Sequence, residues 1–321
     1  MYAAPSFAQI LSDHEGETHL IVLHDFPDPD TIAAGCAHQL LSAKFNIQTD
    51  IIYAGRISHP QNLALVHLLD IPLLKYEGEL PQAYDAAVFV DNQGTTCTEI
   101  VAALAEANVP TLMVVDHHEP QDILAPLFKD VRPVRATATI YADYLSQNLE
   151  MDKTNEAHVM VATALMHGLV SDTSNFIHAK KVDFEAAAFL SQYADSELLA
   201  KILGQARSRQ VMETIHKALE NRVLVENYSI VGIGYLRAED RDAIPQAADF
   251  LLSEANVHTV IIFGIVVTKD QAESLVGSMR TTEITISPDE FIKEVLGKDE
   301  NGRFYGGGKT SAGGFEIPVG F

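Results

Sequence analysis

The first half of the chain alternates apolar runs with helical ones, and that alternation restricts the fold more than any other feature. "HLIVLH" (19–24), "TDIIYAG" (49–55), "YDAAVFVD" (84–91) and "VPTLMVVD" (109–116) read as strands. "TIAAGCAHQLLSAKF" (31–45), "NLALVHLLD" (62–70) and "TEIVAALAEAN" (98–108) read as helices. Strands that are apolar on both faces and separated by helices form a parallel sheet with helices packed on each side. Residues 137–222 read as almost entirely helical and end in a run from Ser196 to Asn221 that would serve as a connector. From Tyr228 the strand pattern returns in "YSIVGIGYL", "HTVIIFGIVV" and "ESLVGSMRTT", with a helix, "IPQAADFLLSEAN", between the first two. The expected fold class is α/β. A doubly wound, mostly parallel sheet would occupy residues 1–195, the helical connector 196–222, and a smaller α/β domain 223–321.

Composition narrows the function. Of 321 residues, 47% are hydrophobic and 21% charged, enough for two real cores. The longest apolar run, "VIIFGIVV" (260–267), is far short of the ~20 residues a membrane span requires. The opening "MYAAPSFAQILSDHEGE" has no basic region followed by an apolar one, so no secretory signal is expected. Two cysteines, Cys36 and Cys97, without paired spacing, point to a reducing, cytoplasmic setting. The net charge of −22 opposes general electrostatic binding of a long polyanion. A phosphate-bearing partner must instead be drawn in by local positive charge.

Each acidic motif in the first half ends a strand. "LHDFPDPD" (23–30) follows the first, "VFVD" brings Asp91 to the end of another, and "MVVDHH" brings Asp116, His117 and His118 to a third. In an open parallel sheet these ends share one rim, where ligands bind. Asp172, in "GLVSDTSNF", closes a helix and can reach the same rim. So many carboxylates converging without a counter-charge would raise one another's pKa values or unfold the site. Divalent cations remove the difficulty, and mixed carboxylate and imidazole ligation suits Mn²⁺, Fe²⁺, Co²⁺ or Zn²⁺ better than Ca²⁺. His24, Asp28 and Asp91 suit one ion; Asp30, Asp91, His117 and Asp172 suit a second, with Asp91 bridging. Two such ions can activate water and clamp the oxygens of a phosphoryl displacement. Pro27 and Pro29 restrict the loop that carries Asp28 and Asp30. His38, His67 and His167 lie in helical runs and read as core or solvent-facing histidines.

In the second half, Gly306, Gly307 and Gly308 of "GGGKTSAGG" allow close backbone approach to an anion. Lys309 adds a point charge, and Arg280, ending "LVGSMR", can fork onto phosphate. Arg207 and Arg209 in the connector are weaker candidates for the same role.

The order H-x-x-x-D-x-D, strand-end D, DHH and a later SDT-type acid resembles the DHH phosphoesterases, and "GSMR" with "GGGKTSAGG" resembles the DHH-associated domain. The overall likeness is to the oligoribonuclease (nanoRNase) and pAp phosphatase branch. It implies a Mn²⁺-dependent hydrolase holding two ions, with Co²⁺, Fe²⁺ or Mg²⁺ as alternatives. By resemblance, His24, Asp28, Asp30, Asp91, His117 and Asp172 fall on metal-ligand positions. His118 would contact the scissile phosphate, and Asp116 would orient an imidazole. Two motifs depart from the usual forms. The first commonly reads H-x-N-P-D-G-D, so Phe26 and Pro29 replace Asn and Gly. The last is usually GGGH, and here Lys309 replaces the His.

The expected reaction is hydrolysis of short oligonucleotides, pAp or linear or cyclic dinucleotides. The N-terminal domain would supply the metals and the C-terminal domain would grip the distal part of the substrate. The resemblance also makes a homodimer an expectation. The alternatives are phosphoanhydride hydrolysis of the pyrophosphatase or exopolyphosphatase kind, and a non-catalytic nucleotide sensor. Strand-tracking exonuclease action and membrane association are not expected of a short, acidic chain.

Overall fold

A computed structural model describes residues 6–57, 59–205, 208–267, 272–300, 302–309 and 311–319. The chain divides into two compact units, Met1–Gln205 and Ala206–Phe321.

The first unit runs α1 (Phe7–Asp13), β1 (Thr18–Val22), α2 (Pro29–Ala43), β2 (Gln48–Tyr53), α3 (Pro60–Leu68), β3 (Leu73–Lys75), β4 (Ala86–Val90), α4 (Thr98–Glu106), β5 (Thr111–Asp116), β6 (Phe128–Val131), α5 (Thr137–Asn148), α6 (Glu156–Asp172), α7 (Lys181–Leu190) and α8 (Ser196–Leu203). The sheet order is β3-β2-β1-β4-β5-β6, with every pairing parallel. Alternate side chains of β1 serve opposite faces. Ile21 joins the core beneath α2, α5 and α6, while Leu20 and Val22 join Ile100 and Leu104 of α4. The strand order reverses between β1 and β4, so the crevice beyond their C-terminal ends is the ligand position of a doubly wound sheet. His24 follows β1 and Asp91 follows β4, on either side of that crevice.

Ser196 to Asn221, read from sequence as one helical run, is two helices. α8 ends at Leu203, and α9 (Arg209–Asn221) begins the second unit. The chain is interrupted because the two halves bury different faces. Ile202 of α8 enters the first core, while Val211, Ile215 and Ala218 of α9 enter the second. Gly204 caps α8. Arg207 lies outside the described residues, and Arg209 is paired with Glu213 at 2.8 Å on the exposed surface of α9.

The second unit continues with β7 (Val223–Val225), β8 (Tyr228–Arg237), α10 (Ala243–Leu251), β9 (Thr259–Val267), β10 (Glu273–Thr281), α11 (Pro288–Leu296), β11 (Gly306–Gly308) and β12 (Ala312–Pro318). Its sheet order is β11-β12-β10-β9-β8-β7, antiparallel except for β8 beside β9. α9 and α10 cover one face, and α11 packs Ile292 against Met279 and Phe315 on the other.

Candidate metal centre

The rim acids are built into helix starts. Asp28 caps α2, its Oδ1 accepting from the amides of Asp30 and Thr31, each at 3.0 Å. Pro29, at the first helical position, lacks the amide that such a position would leave unpaired. Asp30 sits one residue further on and is fully buried. Its carboxylate accepts from the amides of Thr137 (2.6 Å) and Ala138 (2.8 Å) at the start of α5. Two helix N-termini therefore converge on this pair of acids, and their dipoles favour negative charge. Gly168 of α6 permits the crossing, because a Cβ there would lie 3.0 Å from both the Cα and an Oδ1 of Asp30.

Asp91 occupies the turn after β4 in the left-handed region, at φ 57°. Only 3% of it is exposed. Thr137 Oγ1 donates to its Oδ1 at 2.8 Å. The two oxygens of Asp91 face different imidazoles. His24 Nε2 is 3.9 Å from Oδ2, and His117 Nε2 is 3.4 Å from Oδ1. His24 Nε2 also lies 3.8 Å from Asp28 Oδ1. His117 Nε2 lies 3.5 Å from Asp172 Oδ2 and 4.0 Å from Asp30 Oδ2. His24/Asp28/Asp91 and Asp30/His117/Asp172 form two ligand clusters, and Asp91, Asp116, His117 and His118 form a third at the same rim. Asp172 closes α6, where a helix disfavours negative charge, so its place there needs a compensating partner.

His117 Nε2 is buried and has no hydrogen-bond partner, although three carboxylates surround it. The ring is bonded instead to the backbone of Val134, which leaves the Nε2 lone pair aimed into the acidic cluster. Burial, then His118, pushes His117 down to about 4, so the imidazole is neutral near pH 7. Burial, then Asp28, pushes Asp30 up to about 7. Burial, then Asp30, Asp28 and Asp172, raises Asp91 well above its ordinary value. Burial works to raise Asp28 as well, but His24 and the Asp30 and Thr31 amides hold it below its ordinary value. An orphaned imidazole lone pair among crowded acids fits a divalent cation, since a cation satisfies both at once.

Asp116 (1% exposed) orients His118 rather than His117. Its Oδ1 lies 2.8 Å from His118 Nδ1 and also accepts from the His117 amide. The opposing oxygen, Oδ2, accepts from Gln93 Nε2 at 2.7 Å. Gln93 also donates to the carbonyl of Glu119 and accepts from the amide of Gln121 at 2.8 Å, fixing the whole loop after β5. Sequence reading missed Gln93, Thr137 and Ala138. For Gln93 the polar run "DNQG" directly after a strand end was the available signal; Thr137 and Ala138 act through backbone amides and Thr137 Oγ1, which no motif announces.

In the second unit, Arg280, Gly307, Gly308 and Lys309 line one open cavity of about 570 Å³. Gly306 does not line it; a Cβ there would lie 2.4 Å from the carbonyl oxygen of Gly314. The three glycines form strand β11 rather than a free loop, and the Gly308 amide is taken by Asp289 Oδ1 at 3.0 Å. Arg280 Nε is bound to Asp249 Oδ1 at 2.6 Å, and Nη1 to Ser278 Oγ at 2.8 Å. Arg241, absent from the sequence reading, also lines the cavity and pairs with Glu316 at 2.8 Å.

Residues 18–169 match the DHH family, N-terminal domain. The matched residues include Asp116, His117 and His118, the three from which that family is named. An uncharacterized protein of Methanocaldococcus jannaschii is 35% identical over 304 residues, 94% of this chain and 58% of that protein. The chain thus spans little more than half the length of that relative. An exopolyphosphatase-related protein from Bacteroides fragilis shares the fold, with a TM-score of 0.73 and 16% identity over 98% of this chain and 92% of that one. RecJ from Thermus thermophilus, in complex with Mn²⁺, aligns over 97% of this chain and 51% of its own, at 14% identity and a TM-score of 0.46. Among the described residues, no helix is long and apolar enough to cross a membrane.

Proposed function

We propose that this chain is a metal-dependent phosphoesterase holding two Mn²⁺ ions and hydrolysing short oligonucleotides, pAp or linear or cyclic dinucleotides. The observation that carries this reading is the placement of Asp91. One buried carboxylate presents its two oxygens to two imidazoles, each belonging to a separate ligand cluster. His24, Asp28 and Asp91 would hold one ion, and Asp30, Asp91, His117 and Asp172 the other. Co²⁺, Fe²⁺ and Mg²⁺ are compatible with the same donors. Bound there, the pair supplies charge neutralisation, an activated water and polarisation of a phosphoryl oxygen.

The chain's own groups do the rest. Helix amides hold Asp28 and Asp30 in place before any ligand arrives. His118, held by Asp116, presents a third imidazole beside Asp91, 3.8 Å from its Oδ1, where it can hydrogen-bond a phosphoryl oxygen. The second unit acts as the DHH-associated substrate domain, gripping a distal phosphate or nucleotide with Arg280, Arg241 and Lys309. Asp249 and Glu316 are both exposed, so a phosphate can displace them from their arginines. Buried, unpaired Cys36 and Cys97 support work in the reducing cytoplasm.

A panel of pApA, pAp, cyclic di-AMP, pyrophosphate and polyphosphate, run with and without Mn²⁺, tests the assignment. Mononucleotides from pApA, or phosphate from pAp, should form only with the metal. A second reading, phosphoanhydride hydrolysis, takes its support from the exopolyphosphatase-related neighbour. It replaces the first if pyrophosphate or polyphosphate turns over while the nucleotides do not.

A further inference from the structure

The loop between His24 and Asp28 carries an aromatic ring where burial would ordinarily be expected. Phe26 is 71% exposed, although it stands two residues from each of these ligand-cluster members. An exposed phenylalanine gains nothing from the hydrophobic effect, and this one adds nothing to either core. The loop around it is held firmly. The Asp25 amide donates to the Thr96 carbonyl at 2.9 Å, and Asn62 Nδ2 donates to the Pro27 carbonyl at 3.2 Å. Gly55 backs the loop. A Cβ at that position would lie 2.0 Å from the Asp25 carbonyl oxygen, so only glycine lets the loop backbone pass there, and 3.2 Å from Phe26 Cε1. Phe26 is therefore an exposed aromatic ring carried on an anchored loop, between two members of a ligand cluster.

We propose that Phe26 is the stacking platform for the nucleobase of the nucleotide whose phosphate enters the metal centre, and thereby sets a preference for nucleotides over base-free phosphates. The inference rests on the phosphoesterase reading for the phosphate and adds the base. A ring held next to the phosphate-binding rim matches how nucleotides are gripped without regard to base identity. Stacking on one aromatic ring is commonly worth ten-fold or more in affinity.

The test uses binding rather than turnover, so that its failure is distinct from failure of the hydrolase reading. The full chain, loaded with Mn²⁺, is titrated by calorimetry with AMP and with ribose 5-phosphate. AMP should bind about ten-fold more tightly. Phe26→Ala should abolish that preference while leaving ribose 5-phosphate and Mn²⁺ affinity unchanged. The chain has no tryptophan, so Phe26→Trp introduces its only indole at the platform, excited selectively over the tyrosines at the red edge of absorption. It should retain the preference, and AMP should quench its emission while ribose 5-phosphate does not. Equal affinity of the parent for the two ligands, an equal loss for both in Phe26→Ala, or an emission blind to AMP would overturn the proposal. Absence of turnover on pApA and pAp would instead count against the hydrolase reading alone.

Discussion

The two units handle charge in opposite ways. In the first, acids are withdrawn from water: Asp30, Asp91 and Asp116 are each at most 3% exposed, and helix amides or Gln93 fix Asp30 and Asp116. In the second, the cations Arg241 and Arg280 line an open cavity and are already neutralised by Glu316 and Asp249. Buried like charges store a strong demand for a counter-ion, which suits a permanent metal centre. Arg241 is exposed, Arg280 is half-buried, and the acids that pair with them are both exposed, so each can exchange its partner at modest cost, which suits a substrate that must arrive and leave. Bond-breaking power should therefore depend on the first unit and apparent affinity on the second.

The largest test of that contrast is Asp91→Ala, which removes the carboxylate shared by both clusters. Turnover should fall by more than about 10³-fold. Asn accepts the left-handed backbone at this position better than Ala, so Asp91→Asn separates loss of the ligand from strain; it should be equally inactive while melting near the parent. Activity within a few-fold of the parent in either variant would end the metal assignment. Next in size is Arg280→Ala. It should raise KM for pAp or pApA by about ten-fold, the scale of one charge-assisted hydrogen bond, with kcat and Tm nearly unchanged. A fall in kcat with KM constant would erase the distinction between the units.

The smallest effect is on stability. An Asp30 carboxyl at about 7 in the folded chain keeps a proton that the unfolded chain, at the ordinary 3.8, has already released. Asp91 shifts in the same direction. The chelated protein should therefore be most stable at mildly acidic pH and lose Tm by a few degrees as pH rises from about 4 through about 7. Asp28 and Asp116, held low, act oppositely but only in more acidic solution. Mn²⁺ should flatten or reverse the slope in melting scans. A chelated protein whose Tm climbs steadily from about pH 5 to 8 would contradict the crowding of these acids.

The sheet and the rim were legible because both follow simple periodicities. Continuous apolar runs such as "HLIVLH" and "MVVD", alternating with helical stretches, suit buried strands, and three of the acidic motifs sat at the ends of such runs, Asp172 alone closing a helix. Short or polar elements were not legible. α1, β3 and β6 carry too few apolar residues in too short a span, and "GGG" reads as a loop until β12 is seen beside it. The break between α8 and α9 was hidden for a different reason. Both halves are good helix formers, and only the cores they enter distinguish them. Arg241 had no motif to mark it, being one arginine in the run "RAEDRD" until the fold brought it to the cavity of Arg280.

The shared-carboxylate arrangement is tested most directly by anomalous diffraction from crystals of the Mn²⁺-loaded protein. Two peaks are expected, one among His24, Asp28 and Asp91 and one among Asp30, His117 and Asp172, with Asp91 reaching both. A crystal saturated with manganese that shows no peak among these six side chains would contradict the account.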